Sequence, residues 1–135
     1  MTDKADIPTV LVADDDAQLL GLVVRHLKTM GYHVIEALDG EKALEAVQNQ
    51  SPDLVLLDVM MPGMSGWEVC RRIRESRATA HTPVIMLTGI GERLNEMTSP
   101  LYGADDYIDK PFELEDFEIK VRHILREGRS RSNLT

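Results

Sequence analysis

The sequence is short of several things, and each shortage excludes something. A single cysteine, Cys70, rules out an intramolecular disulfide and suits a reducing compartment. Aromatic residues make up only 4% of the 135, so Leu, Val, Ile and Met must fill the core of what reads as one compact domain. No apolar run approaches membrane-spanning length, and the first seven residues are too polar and charged for a signal peptide. A cytoplasmic protein without a membrane partner is therefore expected. Basic residues are outnumbered, 15 against 23 acidic, for a net charge of −8, which argues against direct binding to nucleic acid through the surface as a whole. The imbalance is uneven: Lys120, Arg122, Arg126, Arg129 and Arg131 crowd the C-terminal end against Glu127 alone.

Short apolar runs alternate with segments of helical period. This βαβα order predicts an α/β fold with a parallel sheet and helices on both faces. Thr9–Ala13 reads as a strand. Leu20, Val23, Val24, Leu27 and Met30 follow at helical spacing, and Gly31 is a helix stop. His33–Ala37 is a second, partly polar strand, and Glu41–Gln50 a helix closed by Ser51-Pro52. Leu54–Leu57 is apolar without alternation, which marks a central strand buried on both faces. Ser65 and Glu68 have the spacing of a capping box and open a helix carrying Trp67, Val69, Cys70 and Ile73. Val84–Leu87 is a fourth strand. A helical segment from about Gly91 should break near Thr98, because Pro100 would clash with the carbonyl of Glu96. A short strand around Tyr107 and a helix carrying Leu114, Phe117, Val121 and Ile124 complete the pattern.

Polar residues stand where the strands run out: Asp14 and Asp15, Asp58, Thr88 and Lys110. In an open parallel sheet the carboxyl ends of the strands converge on one crevice, so these positions can meet. Gathered carboxylates repel one another and lose solvation, which calls for a cation. Oxygen donors without His or Cys favour Mg²⁺ over zinc. Asp16 is placed to cap the first helix. Lys110 can bind a carboxylate or a phosphoryl oxygen, Thr88 offers a hydroxyl that could equally cap a turn, and Gly89 lets an anion approach the backbone.

The motifs around these residues are Val12-Ala-Asp-Asp-Asp16, Pro52-Asp-Leu-Val-Leu-Leu-Asp-Val-Met-Met-Pro-Gly-Met-Ser-Gly66, Pro83-Val-Ile-Met-Leu-Thr-Gly89 and Gly103-Ala-Asp-Asp-Tyr-Ile-Asp-Lys-Pro-Phe112. In this order they resemble the receiver domain of a two-component response regulator, similar to the bacterial chemotaxis response regulator. The resemblance covers residues 8–127 and leaves 128–135 as a short polar, basic tail or linker. It implies a doubly wound, flavodoxin-like (βα)5 sandwich with five parallel strands in the order 2-1-3-4-5. It implies that Asp58 accepts a phosphoryl group from a histidine kinase or a histidine phosphotransfer protein. Asp15 would bind Mg²⁺ directly, Asp14 through water, and the Met60 carbonyl would complete the protein ligands. Thr88 and Lys110 would contact the phosphoryl oxygens, the Lys110-Pro111 bond would be cis, and Tyr107 would be an aromatic switch.

Such a chain is a signalling switch rather than an enzyme, catalysing only its own phosphoryl transfer and autodephosphorylation. Its output would be a change in the face built from the fourth helix, fifth strand and fifth helix, which could also form a homodimer. Met60 and Ile90 are apolar where many members of the family carry polar side chains, and an altered phosphoryl lifetime is the expectation. His26, His33, His81 and His123 lie in separate segments, so the donor histidine should come from a partner. Three rival readings fit less well. A flavodoxin-like redox protein needs phosphate-cradling donors where Asp14-Asp15-Asp16 would repel the anion. A haloacid dehalogenase-type phosphatase resembles this site but requires an acid at Met60. A receiver-like module that binds partners without phosphorylation would not need all of Asp14, Asp15, Asp58, Thr88 and Lys110. Whether the chain stands alone or is the receiver part of a longer regulator is left open by the short tail.

Overall fold

A computed structural model describes residues 7–89 and 103–134, with side chains as far as Glu127. The expected helix from Gly91, its break near Pro100, and Ile90 lie outside the described residues. Five strands, β1 (Thr9–Ala13), β2 (His33–Ala37), β3 (Leu54–Asp58), β4 (Val84–Thr88) and β5 (Asp106–Asp109), form one parallel sheet in the order 2-1-3-4-5. Helices α1 (Ala17–Thr29), α2 (Gly40–Gln50), α3 (Gly66–Glu75) and a C-terminal helix (Leu114–Leu134) pack against it. β3 and β4 are buried at every position, as their unbroken apolar runs require.

The two-residue period of a strand divides the core. Val10 and Val12, Leu54 and Leu56, Ile85 and Leu87, and Ile108 face α1 and the C-terminal helix, where Leu20, Val23, Leu27, Phe117 and Val121 meet them. The alternate residues, Leu11, Ala13, Val55, Leu57, Val84 and Met86, face α2 and α3, packing on Ala43, Val47, Val69, Cys70 and Ile73.

Local chemistry sets the helix ends. Asp16 Oδ1 accepts from the amides of Gln18 and Leu19 at 3.0 and 3.3 Å, capping α1. That helix stops at Gly31, whose φ of 96° is the left-handed conformation glycine adopts without strain. Ser51 closes α2 with φ 47°, ahead of Pro52. At α3 the Ser65 hydroxyl accepts from Glu68 N at 3.2 Å, but the Glu68 carboxylate is taken by Arg71 and Arg72, so only the serine half of the predicted capping box forms. The C-terminal helix also departs from expectation. Its backbone stays helical past Gly128 to Leu134, where the sequence pointed to a tail. One interior glycine weakens a helix by only about 1 kcal/mol, and the flanking Arg126, Glu127 and Arg129 are good helix formers.

Candidate functional site

Strand period carries on past the strand ends and sorts the polar residues into two groups. Asp14 extends the parity of Val10 and Val12, Asp58 that of Leu54 and Leu56, and Lys110 that of Ile108. The ladder persists there, with Asp14 N bonded to Ala37 O at 3.1 Å and Lys110 N to Thr88 O at 2.6 Å. These three side chains therefore converge. Lys110 Nζ lies 2.9 Å from Asp58 Oδ1 and 3.0 Å from Asp14 Oδ2, a link between residues 52 and 96 positions apart in sequence.

Asp14 and Asp58 are almost fully buried, 1% and 5% exposed. Burial, with the charge of Asp14 and the proximity of Asp15 adding to it, pushes the Asp58 carboxyl up to about 6 despite the opposing Lys110 ammonium. Burial by itself would lower Lys110. Its hydrogen bonds to Asp58 and Asp14, and their charges, outweigh that and hold it above the ordinary lysine value.

Asp15 completes an acidic trio with Asp14 and Asp58, whose nearest ligand atoms all lie within 4.8 Å of one another. The donor set is entirely oxygen, which fits a hard divalent cation. Within it the two neighbours differ. Asp14 has both oxygens engaged, Oδ1 by the amide of Asp16 at 2.9 Å and Oδ2 by Lys110, whereas Asp15 is exposed. Met60, two residues beyond Asp58 in sequence, is 65% exposed.

Thr88 and Asp109 take the opposite parity, with Met86 and Tyr107. Thr88 is fully buried, and its hydroxyl donates to Asp109 Oδ1 at 2.8 Å. The sequence singled out Thr88 but not this partner. Tyr107 packs on the α2/α3 side of the core, and its ring lies 6.2 Å from that of Trp67, tilted by 57°. The Lys110-Pro111 bond is cis.

One further residue shapes the site, and another anchors the opposite end of the sheet. Gly66, the first residue of α3, lies so close to the strand end that a Cβ there would fall 2.2 Å from the Asp58 carbonyl oxygen. Arg74, on α3, bonds the carbonyls of Gly103, Ala80 and Thr82 and the Asp105 carboxylate at 2.8, 3.3, 2.6 and 2.8 Å, fixing the entry to β5. Next to Lys110, a groove of about 500 Å³ is lined by Leu19, Leu22, Gly89, Pro111, Phe112 and Leu114. Of the four histidines, His26 is half-buried against Glu118 at 3.3 Å and the others are exposed.

Comparison with known proteins agrees with this geometry. The family model described as the response regulator receiver domain matches residues 10–122. The DNA-binding dual master transcriptional regulator RpaA of Synechocystis is 40% identical over 120 residues, covering 89% of this chain and 50% of that protein. A putative response regulator from Chloroflexus aurantiacus superposes with a TM-score of 0.84 at 34% identity, covering 90% of this chain and 99% of that one. A CheY-like response regulator receiver domain protein from Methanospirillum hungatei gives 0.86 at 29% identity, with 93% and 99% covered. The chain spans about half the length of the curated relatives it matches. Among the described residues no helix is long and apolar enough to cross a membrane.

Proposed function

The chain belongs to the response regulator receiver domain family, and on that footing we propose that it takes a phosphoryl group onto Asp58 from a phosphohistidine of a partner protein. The observation that carries this reading is the Lys110 ammonium held between two buried carboxylates beside an exposed third. Asp58 is the nucleophile: one of its oxygens bonds to phosphorus as the phosphorus–nitrogen bond of the donor breaks, leaving the histidine with the bonding pair. A carboxylate is a weak nucleophile towards an anion, so charge on the transferring oxygens has to be neutralised. Lys110 supplies one positive charge at the acceptor itself.

Mg²⁺ would be held by Asp15 and Asp58 directly, by Asp14 through water, and by the Met60 carbonyl. The occupied oxygens of Asp14 and the exposure of Asp15 favour that division. The ion would supply further neutralisation of the phosphoryl oxygens. Transfer needs Asp58 ionised, and at neutral pH a group poised near 6 is mostly so. The apolar groove next to Lys110, with Leu22 and Leu114 exposed, gives a kinase or histidine phosphotransfer partner a surface on which to seat the donor histidine.

Once phosphorylated, Thr88 would turn its hydroxyl to a phosphoryl oxygen and Tyr107 would repack, altering the output face around β5 and the C-terminal helix, through which the chain could pair with a second copy. The receiver unit occupies residues 8–127, and the site's own residues return the phosphoryl group to water. Incubation with Mg²⁺ and acetyl phosphate, followed by intact-mass measurement, should add one phosphoryl group to the wild-type chain and none in EDTA. No added mass under conditions that phosphorylate another receiver would sink the reading.

A further inference from the structure

A fully buried hydroxyl needs a partner, and Thr88 has found one that does not belong to the acidic trio. Its Oγ1 donates to Asp109 Oδ1 at 2.8 Å. The contact is built into the sheet: β4 and β5 pair Thr88 with Asp109 in register, and Lys110 N donates to the Thr88 carbonyl at 2.6 Å. Strand period sends the Asp109 side chain to the Tyr107 face and the Lys110 side chain to Asp58 and Asp14. Two adjacent residues therefore hold the two halves of the site.

A hydroxyl has one proton to donate. While Thr88 gives it to Asp109, it cannot give it to a phosphoryl oxygen on Asp58. We propose that Asp109 is a latch, a positioning residue whose carboxylate holds Thr88 in the unphosphorylated arrangement and competes with the phosphoryl group for that proton. This rests on the reading of Asp58 as acceptor and Thr88 as its phosphoryl contact. The latch sets how strongly the site must be occupied before Thr88 changes partner, and it acts on the face where Tyr107 meets Trp67.

The test is a titration of the Mg²⁺-loaded protein with beryllofluoride, a phosphoryl mimic, read by fluorescence of Trp67, the one tryptophan in the chain. Loss of a hydrogen bond to a charged acceptor should lower the half-saturating concentration about tenfold in Asp109→Ala, equivalent to about 1.4 kcal/mol. Asp109→Asn keeps an acceptor oxygen without the charge and should fall between. In a Thr88→Ala background, Asp109→Ala should change nothing. Half-saturation left unchanged by Asp109→Ala overturns the latch, and so does equal tightening in the Thr88→Ala background, which would mean that only a negative charge near the anion had been removed. A wild-type chain that ignores beryllofluoride, or Asp58→Asn binding it equally, would instead remove the acceptor reading beneath the proposal.

Discussion

The Lys110 ammonium stands 2.9 Å from Asp58 Oδ1 and at the same time holds Asp14 at 3.0 Å, so one cation serves two carboxylates that are almost wholly out of water. Removing it leaves buried charge without a partner.

Lys110→Met should therefore lose about 1–3 kcal/mol of stability at pH 7 without metal, limited by the ease with which Asp58 can take up a proton. Because a divalent cation can replace the lost charge, Mg²⁺ should stabilise this variant more than it stabilises the wild type. Urea unfolding in EDTA and in Mg²⁺ measures both, and an equal or smaller Mg²⁺ increment in the variant would contradict it.

Asp58 gives the complementary pH dependence. Its carboxyl is raised from 3.8 to about 6 in the folded protein, so between those values the folded state binds the proton more tightly than the unfolded chain. Stability contributed by this group is present below the unfolded value and is lost as pH rises through about 6. At 1.36 kcal/mol per unit the upper limit is about 3 kcal/mol. Asp58→Asn should thus be more stable than wild type by about 1–3 kcal/mol at pH 7 in EDTA, with the advantage gone by about pH 4. Thermal melts across that range would show it, and a gap that does not narrow as pH falls would refute it.

Gly66 makes the start of α3 and the end of β3 a single packed unit. A Cβ at this position would fall 2.2 Å from Asp58 O and 2.8 Å from Met86 Cε. Gly66→Ala is expected to destabilise the fold by about 2–3 kcal/mol, since the backbone cannot yield as a flexible side chain would. It should also slow phosphorylation from acetyl phosphate, because the strand end that carries the acceptor must shift. Unfolding curves with a phosphorylation time course test the two effects separately.

Arg74 is the other anchor, making four hydrogen bonds to loop carbonyls and to Asp105, which itself accepts from Val84 N at 2.9 Å. Arg74→Ala should lose about 2–4 kcal/mol, and Arg74→Lys should recover little of it, since an ammonium cannot span the directions of the guanidinium fork. Chemical denaturation of the two variants decides it, and full rescue by lysine would refute the idea.

Much of this was legible in the residues. The strand ends could be read because β3 and β4 are unbroken apolar runs that stop at Asp58 and just before Thr88, and β1 one that stops before Asp14. Asp16 declared its cap by its place before an apolar-periodic helix. Side-chain choices that depend on packing were not legible. Ser65 and Glu68 have capping-box spacing, but nothing local says that Arg71 and Arg72 will claim the glutamate. Asp109 looked like one more acid in an acidic chain, and its bond to Thr88 follows only from the β4–β5 register. Strand period alone could not assign the faces, because β3 and β4 are buried at every position; only the strand register puts Asp58 and Lys110 on one face and Thr88 and Asp109 on the other. Residues 128–135 read as a tail or linker, yet the helix carries on through Gly128 to Leu134.

Asp58 as the phosphoryl acceptor is most directly tested by trapping. The Mg²⁺-loaded chain is treated with acetyl phosphate, reduced with borohydride, which converts an acyl phosphate to the corresponding alcohol, and digested for peptide mass spectrometry. The predicted result is a reduced side chain at position 58 and nowhere else, lost when EDTA replaces Mg²⁺. Reduction at Asp14, Asp15 or Asp109 with position 58 untouched would contradict it.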